Sequence, residues 1–213
     1  MVEGMKPSQP IAVRPLEQAS IPAAAGLLAA SMRDNPLHQR VFAGGHGIEP
    51  LLATAFARLL RRQMRIGHVL GAYEGDVLVG VAAMVPPGRC QPGPWEKLAM
   101  LPILARGRSL RHLPRIHRWL RAWARRDPGF DHWHLGPAAV ERARQGRGIG
   151  SLLMAAVCDR LDREQGVGYL ETDKQENVRL YRRGGFEVIA AEPVLGVANW
   201  FMQRRPDPST RTP

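Results

Sequence analysis

The stretch with the clearest chemical potential is Val140-Glu141-Arg142-Ala143-Arg144-Gln145-Gly146-Arg147-Gly148-Ile149-Gly150-Ser151-Leu152-Leu153. Gly146, Gly148 and Gly150 remove the Cβ atoms that would keep a ligand off the backbone. The amphipathic helix that follows points its free N–H groups and positive dipole end back at the turn. Such a turn seats a pyrophosphate. A P-loop would need Lys-Ser/Thr after its last glycine, and this stretch holds no lysine. The pattern Gly146-x-Gly148-x-x-Ser151 comes nearer to a dinucleotide-binding fingerprint, with Glu171 at about the distance of a ribose-binding acid. That fingerprint begins where its strand ends, however. Here five residues separate Val140 from Gly146, and too few strand–helix units follow.

Gln145-x-x-Gly148-x-Gly150 fits a third pattern at every position. It resembles the Gln/Arg-x-x-Gly-x-Gly/Ala acetyl-CoA loop of the GNAT superfamily of N-acetyltransferases. Glu171-Thr172-Asp173, then Asn177, Tyr181 and Gly185-Phe186, looks like the second half of that signature, in the right order and at the right separation. The resemblance is close over residues 132 to 204. Within the superfamily, Trp133-x-Leu135, Leu170-Glu171-Thr172 and Trp200-x-Met202 look most like the puromycin N-acetyltransferase group. Arg142 departs from the proline often found two residues after the valine; it changes the stiffness of the loop and leaves its glycines in place.

The resemblance implies a fold, a co-substrate and roles. The fold is α/β (α+β), with a mixed central sheet whose strands splay around acetyl-CoA and helices on both faces. The pyrophosphate would lie on the backbone N–H groups of Gly146, Arg147, Gly148, Ile149, Gly150 and Ser151, beside Gln145. Ala138, Ala139 and Val140 would pair with the pantetheine amides, and Arg142, Arg144 and Arg147 would neutralise phosphates. Tyr181 stands where the family keeps its general acid, and Asn177, one turn earlier, shares its helix face. A primary amine has a pKa near ~10, so it must lose a proton before it attacks. Glu171, His134 and Glu141 are the candidate bases, in that order, and Glu171 is equally readable as a structural acceptor at its strand end. A backbone N–H around Ala139 is the candidate oxyanion donor.

The elements that must position these residues follow from periodicity. Residues 11–15 read as a strand, and Ser20-Ile21-Pro22 opens a helix that ends at Asp34-Asn35-Pro36. A second helix over 49–64 carries Leu52, Phe56, Leu59 or Leu60, and Met64 on one face. Strands 69–73 and 77–84 flank the turn Glu74-Gly75-Asp76. Segment 88–130 is an insertion with a helix over 109–126, where Leu113, Ile116, Leu120 and Trp123 share one arc and five arginines the other. Its basic face reads first as a solvated surface, and His112 and His117 as packing or surface residues. Residues 132–140 form the motif strand, with a bulge or bend expected at Gly136-Pro137. A helix over 150–164, a strand over 167–171 and a hairpin over 186–194 and 199–204 complete the order.

The 213 residues suffice for one core, so a single domain over 11–205 is expected, with flexible tails at 1–10 and 206–213. The formal charge is +11, but only Lys6, Lys97 and Lys174 among the thirty basic residues are lysines. An arginine skew of this kind reflects genome composition as readily as a polyanionic partner, so nucleic acid is an unlikely ligand. No apolar run approaches the roughly 18 residues of a membrane span and no secretory pattern opens the chain, so a cytoplasmic protein without a membrane partner is expected. Cys90 and Cys158 are expected to be reduced and unpaired, and no metal spacing is visible. The expected partner is a small-molecule amine, an antibiotic or a metabolite, and a homodimer is compatible with the sequence. Two alternatives stay open: acetylation of a protein N-terminus or lysine, and a non-catalytic acyl-CoA-binding regulator that uses the arginine-rich helix on a partner.

Overall fold

A computed structural model describes residues 10–43, 48–91, 93–98, 102, 105 and 109–210. Its centre is a seven-stranded sheet built from β1 (Ile11–Pro15), β2 (His68–Glu74), β3 (Val77–Val85), β4 (Trp133–Val140), β5 (Gly168–Thr172), β6 (Glu187–Val194) and β7 (Val197–Arg204). The order is β1-β2-β3-β4-β5-β7-β6, antiparallel except for β4 and β5, which run parallel and are joined by a helical crossover.

Helices cover both faces because β3 and β5 are apolar on both. On one face α1 (Ile21–Met32) and α3 (Glu49–Ile66) pack on Val69, Val81 and Ala83; the alanines Ala24, Ala25 and Ala29 let α1 lie close to the sheet. The expected face of α3 is the buried one: Leu52 and Leu60 are core residues, with Phe56 and Met64 packed beside them. On the other face α6 (Ile149–Arg163) buries Leu153, Val157 and Leu161 against Ala72, Ala82 and Met84. It ends with Gln165, not Gly166, in the left-handed conformation. Between α1 and α3 lies α2 (Pro36–Val41), beginning at the Asp34-Asn35-Pro36 break that ends the first helix. Its signal was there in Asn35, whose side chain accepts from His38 N at 3.0 Å, and in a proline in the first turn.

The insertion supplies α4 (Pro94–Leu98) and α5 (Leu113–Ala124). The basic outer face of α5 is as expected, but its inner arc is rotated. Ile116, Trp119 and Trp123 pack on Leu37, Val41, Tyr169 and Phe201, whereas Leu120 is 51% exposed. Two indoles bury more apolar area than a leucine and set the rotation. Trp123 Nε1 donates to Asn199 Oδ1 at 3.1 Å, which fixes α5 over β7. His112 is buried against Phe42 and His117 is exposed. Among the described residues, no helix is long and apolar enough to cross a membrane.

Candidate active site

Two irregularities in the sheet make the site. Ala82 faces Ala138 and Met84 faces Leu135, so Gly136 and Pro137 together stand opposite Ala83; this is the expected bulge, since proline cannot donate to a ladder. The Gly136 carbonyl is not left unpaired there, because Gln63 Nε2 of α3 donates to it at 2.7 Å. On its other side β4 pairs with β5 only through Trp133↔Gly168 and His134↔Tyr169. Beyond His134 the two strands part, and the β5-facing edge of Ala138–Val140 opens onto a groove.

The groove holds about 450 Å³. Ala138, Ala139 and Val140 form one wall, and Gln145, Gly146, Gly148, Ile149, Gly150 and Ser151 form its end. Asn177 and Tyr181 come from α7 (Gln175–Arg183), and Ser31, Met32 and Asn35 close the side toward α1 and α2. Gly146 and Gly148 hold φ of 78° and 82°, a conformation that glycine adopts without strain. A Cβ on either would meet nothing within 4 Å, so glycine is required there by the backbone angle, and the backbone stays open to a ligand. Gly148 caps α6 without any side-chain acceptor, which leaves the first N–H groups of that helix for an anion. Gln145 Nε2 donates to Val140 O at 3.1 Å and ties the turn to the end of the strand.

The arginines near the turn are engaged elsewhere. Arg144 and Arg147 donate to Glu74 in the β2–β3 turn at 2.9 and 3.1 Å, and Arg144 also bonds Glu141. Arg142 pairs with Asp34. The guanidinium of Arg147 therefore braces the loop from behind, and Arg147 does not line the groove. Of the three arginines expected to neutralise phosphates, Arg144 lines the groove from within its ion pairs, whereas Arg142 and Arg147 stand outside it.

Tyr181 lines the groove with its ring edge-on to Phe186 at 6.2 Å. Burial, and then the negative charge of Asp173, push its phenol up to about 12. Asp173, in the signature but without an expected role, accepts from Asn35 Nδ2 at 2.7 Å and Leu37 N at 2.6 Å, and so fastens α2 to the end of β5 beside the groove. Asn177 Nδ2 donates to Thr172 Oγ1 at 3.4 Å.

Glu171 does not line the groove. Its carboxylate is 4% exposed and lies 3.1 Å from His134 Nε2. Burial lowers the pKa of His134, but the Glu171 charge, with Cys90 beside it, outweighs burial and raises it to about 10. His134, held against Glu171 in this way, is not a free base. Glu141 is likewise committed to Arg144.

A sequence profile of the acetyltransferase (GNAT) family matches residues 36–186 of the chain. Solved structures share the fold. One from Corynebacterium glutamicum, described as histone acetyltransferase HPA2 and related acetyltransferase, is 20% identical with a TM-score of 0.67, covering 92% of this chain and 97% of that one. A putative arylalkylamine N-acetyltransferase 7 from the yellow fever mosquito is 14% identical with a TM-score of 0.63, covering 92% and 88%. YncA of Salmonella typhimurium, a putative acetyltransferase solved with its cofactor acetyl-CoA, is 19% identical with a TM-score of 0.51, covering 93% and 95%.

Proposed function

The chain belongs to the acetyltransferase (GNAT) family, whose acyl donor is acetyl-CoA, and from that premise we propose that it acetylates the primary amine of a small molecule. The observation that carries the proposal is the groove itself: an open backbone edge at Ala138–Val140, a glycine seat at the head of α6, and Tyr181 and Asn177 facing both. The residues fit the cofactor, since the unstrained left-handed glycines leave room where any side chain would stand. Acetyl-CoA supplies an activated thioester. The chain's own part is to hold the pyrophosphate on the N–H groups of residues 146–151 and to align the pantetheine arm along β4. Tyr181 offers a phenolic proton where the thiol departs. Asn177 braces the same wall. Glu171, buried against His134, acts on the amine electrostatically rather than by contact, because a base must reach its proton directly or through one water.

A small acceptor remains the reading of the sequence motifs; the insertion packs α5 and its two indoles on α2, β5 and β7, behind the α2 start that closes the groove at Asn35. The Trp200-x-Met202 and Leu170-Glu171-Thr172 motifs support a place near the puromycin N-acetyltransferases. The test is thiol release from acetyl-CoA across puromycin, aminoglycosides, arylalkylamines, polyamines and short peptides. Turnover confined to peptides would replace the small acceptor by a polypeptide one. Acetyl-CoA binding with no turnover on any amine would point to the regulator instead.

A further inference from the structure

A second cluster of chemically able side chains lies on the face of the sheet covered by α5, and the groove uses none of them. Cys90 comes from the connection after β3, Asp127 from the end of α5, and His132 and His134 from alternate positions at the start of β4, where alternation puts both rings on one face. One donor atom from each lies within 4.8 Å of all the others. Around an ion with bonds of about 2.0–2.3 Å, four tetrahedral ligands stand roughly 3.3–3.8 Å apart, so the donors are within about an ångström of that arrangement.

The hydrogen bonds around the cluster leave the right atoms free. His132 Nδ1 lies 2.9 Å from the Phe130 carbonyl, which can only accept, so Nδ1 carries a proton and Nε2 is the ring atom turned to the cluster. That atom lies 3.0 Å from Asp127 Oδ1, so one ion could be shared between the two. His134 Nε2 faces the Glu171 carboxylate at 3.1 Å, which leaves Nδ1 for the cluster, an arrangement of carboxylate, imidazole and inner donor that orients metal ligands. Asp127 Oδ2 accepts from Gln91 Nε2 at 3.0 Å and from the Cys90 thiol at 3.3 Å, whose proton a bound metal would displace. Asp127 Oδ1, His132 Nε2 and His134 Nδ1 are buried without a hydrogen-bond partner, and His132 as a whole is 5% exposed. These three atoms have only one another and the Cys90 thiol for company, and they meet at one point.

We propose that Cys90, Asp127, His132 and His134 form a tetrahedral site for a divalent transition metal, with zinc the ion that the donor set fits best. A thiolate and two imidazoles exclude the hard cations magnesium and calcium, and four donors of mixed N, S and O type suit zinc. Thiolate and carboxylate together neutralise the ion. With all four positions taken by protein, the metal has no vacancy for substrate and serves as a clip. It joins the two ends of the insertion, Cys90 and Asp127, to β4 just before the bulge, and so holds α5 in its seat on α2 and β7. Closing so long a segment onto the sheet is where a cross-link stabilises most. The expectation from sequence that no metal site is present thereby gives way. This inference stands on its own geometry and would survive a different acceptor or the loss of the acetyltransferase assignment.

The full chain, stripped with a chelator, is titrated with cobalt(II) chloride and with zinc chloride alone. The expected result is one equivalent of cobalt, a sulfur-to-cobalt charge-transfer band, the intense d–d bands of a tetrahedral ion, displacement by zinc, and a rise in Tm. Cys90→Ser should lose the charge-transfer band, and Glu171→Gln should weaken zinc affinity by about 10–100-fold through His134. His132→Gln should lose stoichiometric binding; if it does not fold, Asp127→Asn carries the same test. A stripped wild-type chain that is folded by circular dichroism yet binds no equivalent of either ion overturns the proposal. So does a charge-transfer band that Cys90→Ser leaves unchanged.

Discussion

Replacing Tyr181 by phenylalanine isolates one proton. The ring keeps its contact with Phe186, and stability should move by no more than about 1 kcal/mol. With its phenol pushed up to about 12, Tyr181 is protonated in all but about one molecule in 10⁵ at pH 7. A thiol resembling that of cysteine has a pKa near ~8.5, so outright transfer to the departing thiolate would run uphill by about 3–4 units, roughly 4–5 kcal/mol. Tyr181 therefore works by donating a hydrogen bond to the charge as it develops. A charge-assisted hydrogen bond of about 1.5–3 kcal/mol corresponds to roughly 10- to 150-fold in rate, so kcat should fall by about 10²-fold. The assay is steady-state thiol release, with acetyl-CoA affinity measured separately by thermal shift and expected to be unchanged. The loss should shrink with an acyl thioester whose thiol is more acidic, because that group departs unaided. Since Tyr181 titrates only near pH 12, no basic limb below about pH 10 should vanish with it. Full activity in Tyr181→Phe with acetyl-CoA would refute the role and leave a packing residue.

The other outcomes test the frame around that phenol. Gly148→Asp should abolish stabilisation by acetyl-CoA in thermal shift, since φ of 82° costs a side chain about 1–2 kcal/mol and the carboxylate would stand in the anion seat; an undiminished shift in the folded variant would remove the cofactor from this loop. Trp123→Ala loses its bond to Asn199 and a large buried area, so a drop of about 3–5 kcal/mol in unfolding free energy should accompany a raised KM for the amine with little change in CoA affinity; equal losses of both would refute that division. Asp162, in α6, accepts from both Nη atoms of Arg204 at 2.7 Å and from Asp207 N at 2.8 Å. The Arg204 bond first, then the backbone bond and the Arg204 charge, outweigh burial and hold its carboxyl below the usual value of 3.8. Its stabilisation is thus complete above about pH 4 and is lost as pH falls through the lowered folded value. Asp162→Asn should flatten that acid limb in denaturant titrations, and an unchanged limb would assign it to other carboxylates.

What the sequence determined on its own was whatever depends on neighbours a few residues apart. Gly146 and Gly148 fix a turn whose backbone angles only glycine adopts without strain, and Asn177 and Tyr181 share a helix face by their spacing alone. Gly136-Pro137 interrupts a ladder wherever it falls, so the bulge was visible before any partner strand was known. The tertiary structure decided what depends on partners far apart in the chain. Arg144 and Arg147 were free cations until the β2–β3 turn delivered Glu74 to them, and Glu171 was a candidate base until His134 covered it. The inner arc of α5 was set by what it docks on, since two tryptophans outweigh a leucine once β7 is there to receive them. Cys90 and Asp127, separated by a whole helical insertion, share no local periodicity with His132 and His134. Only the return of the chain to β4 brings their donor atoms to one point, and no spacing along the sequence encodes that return.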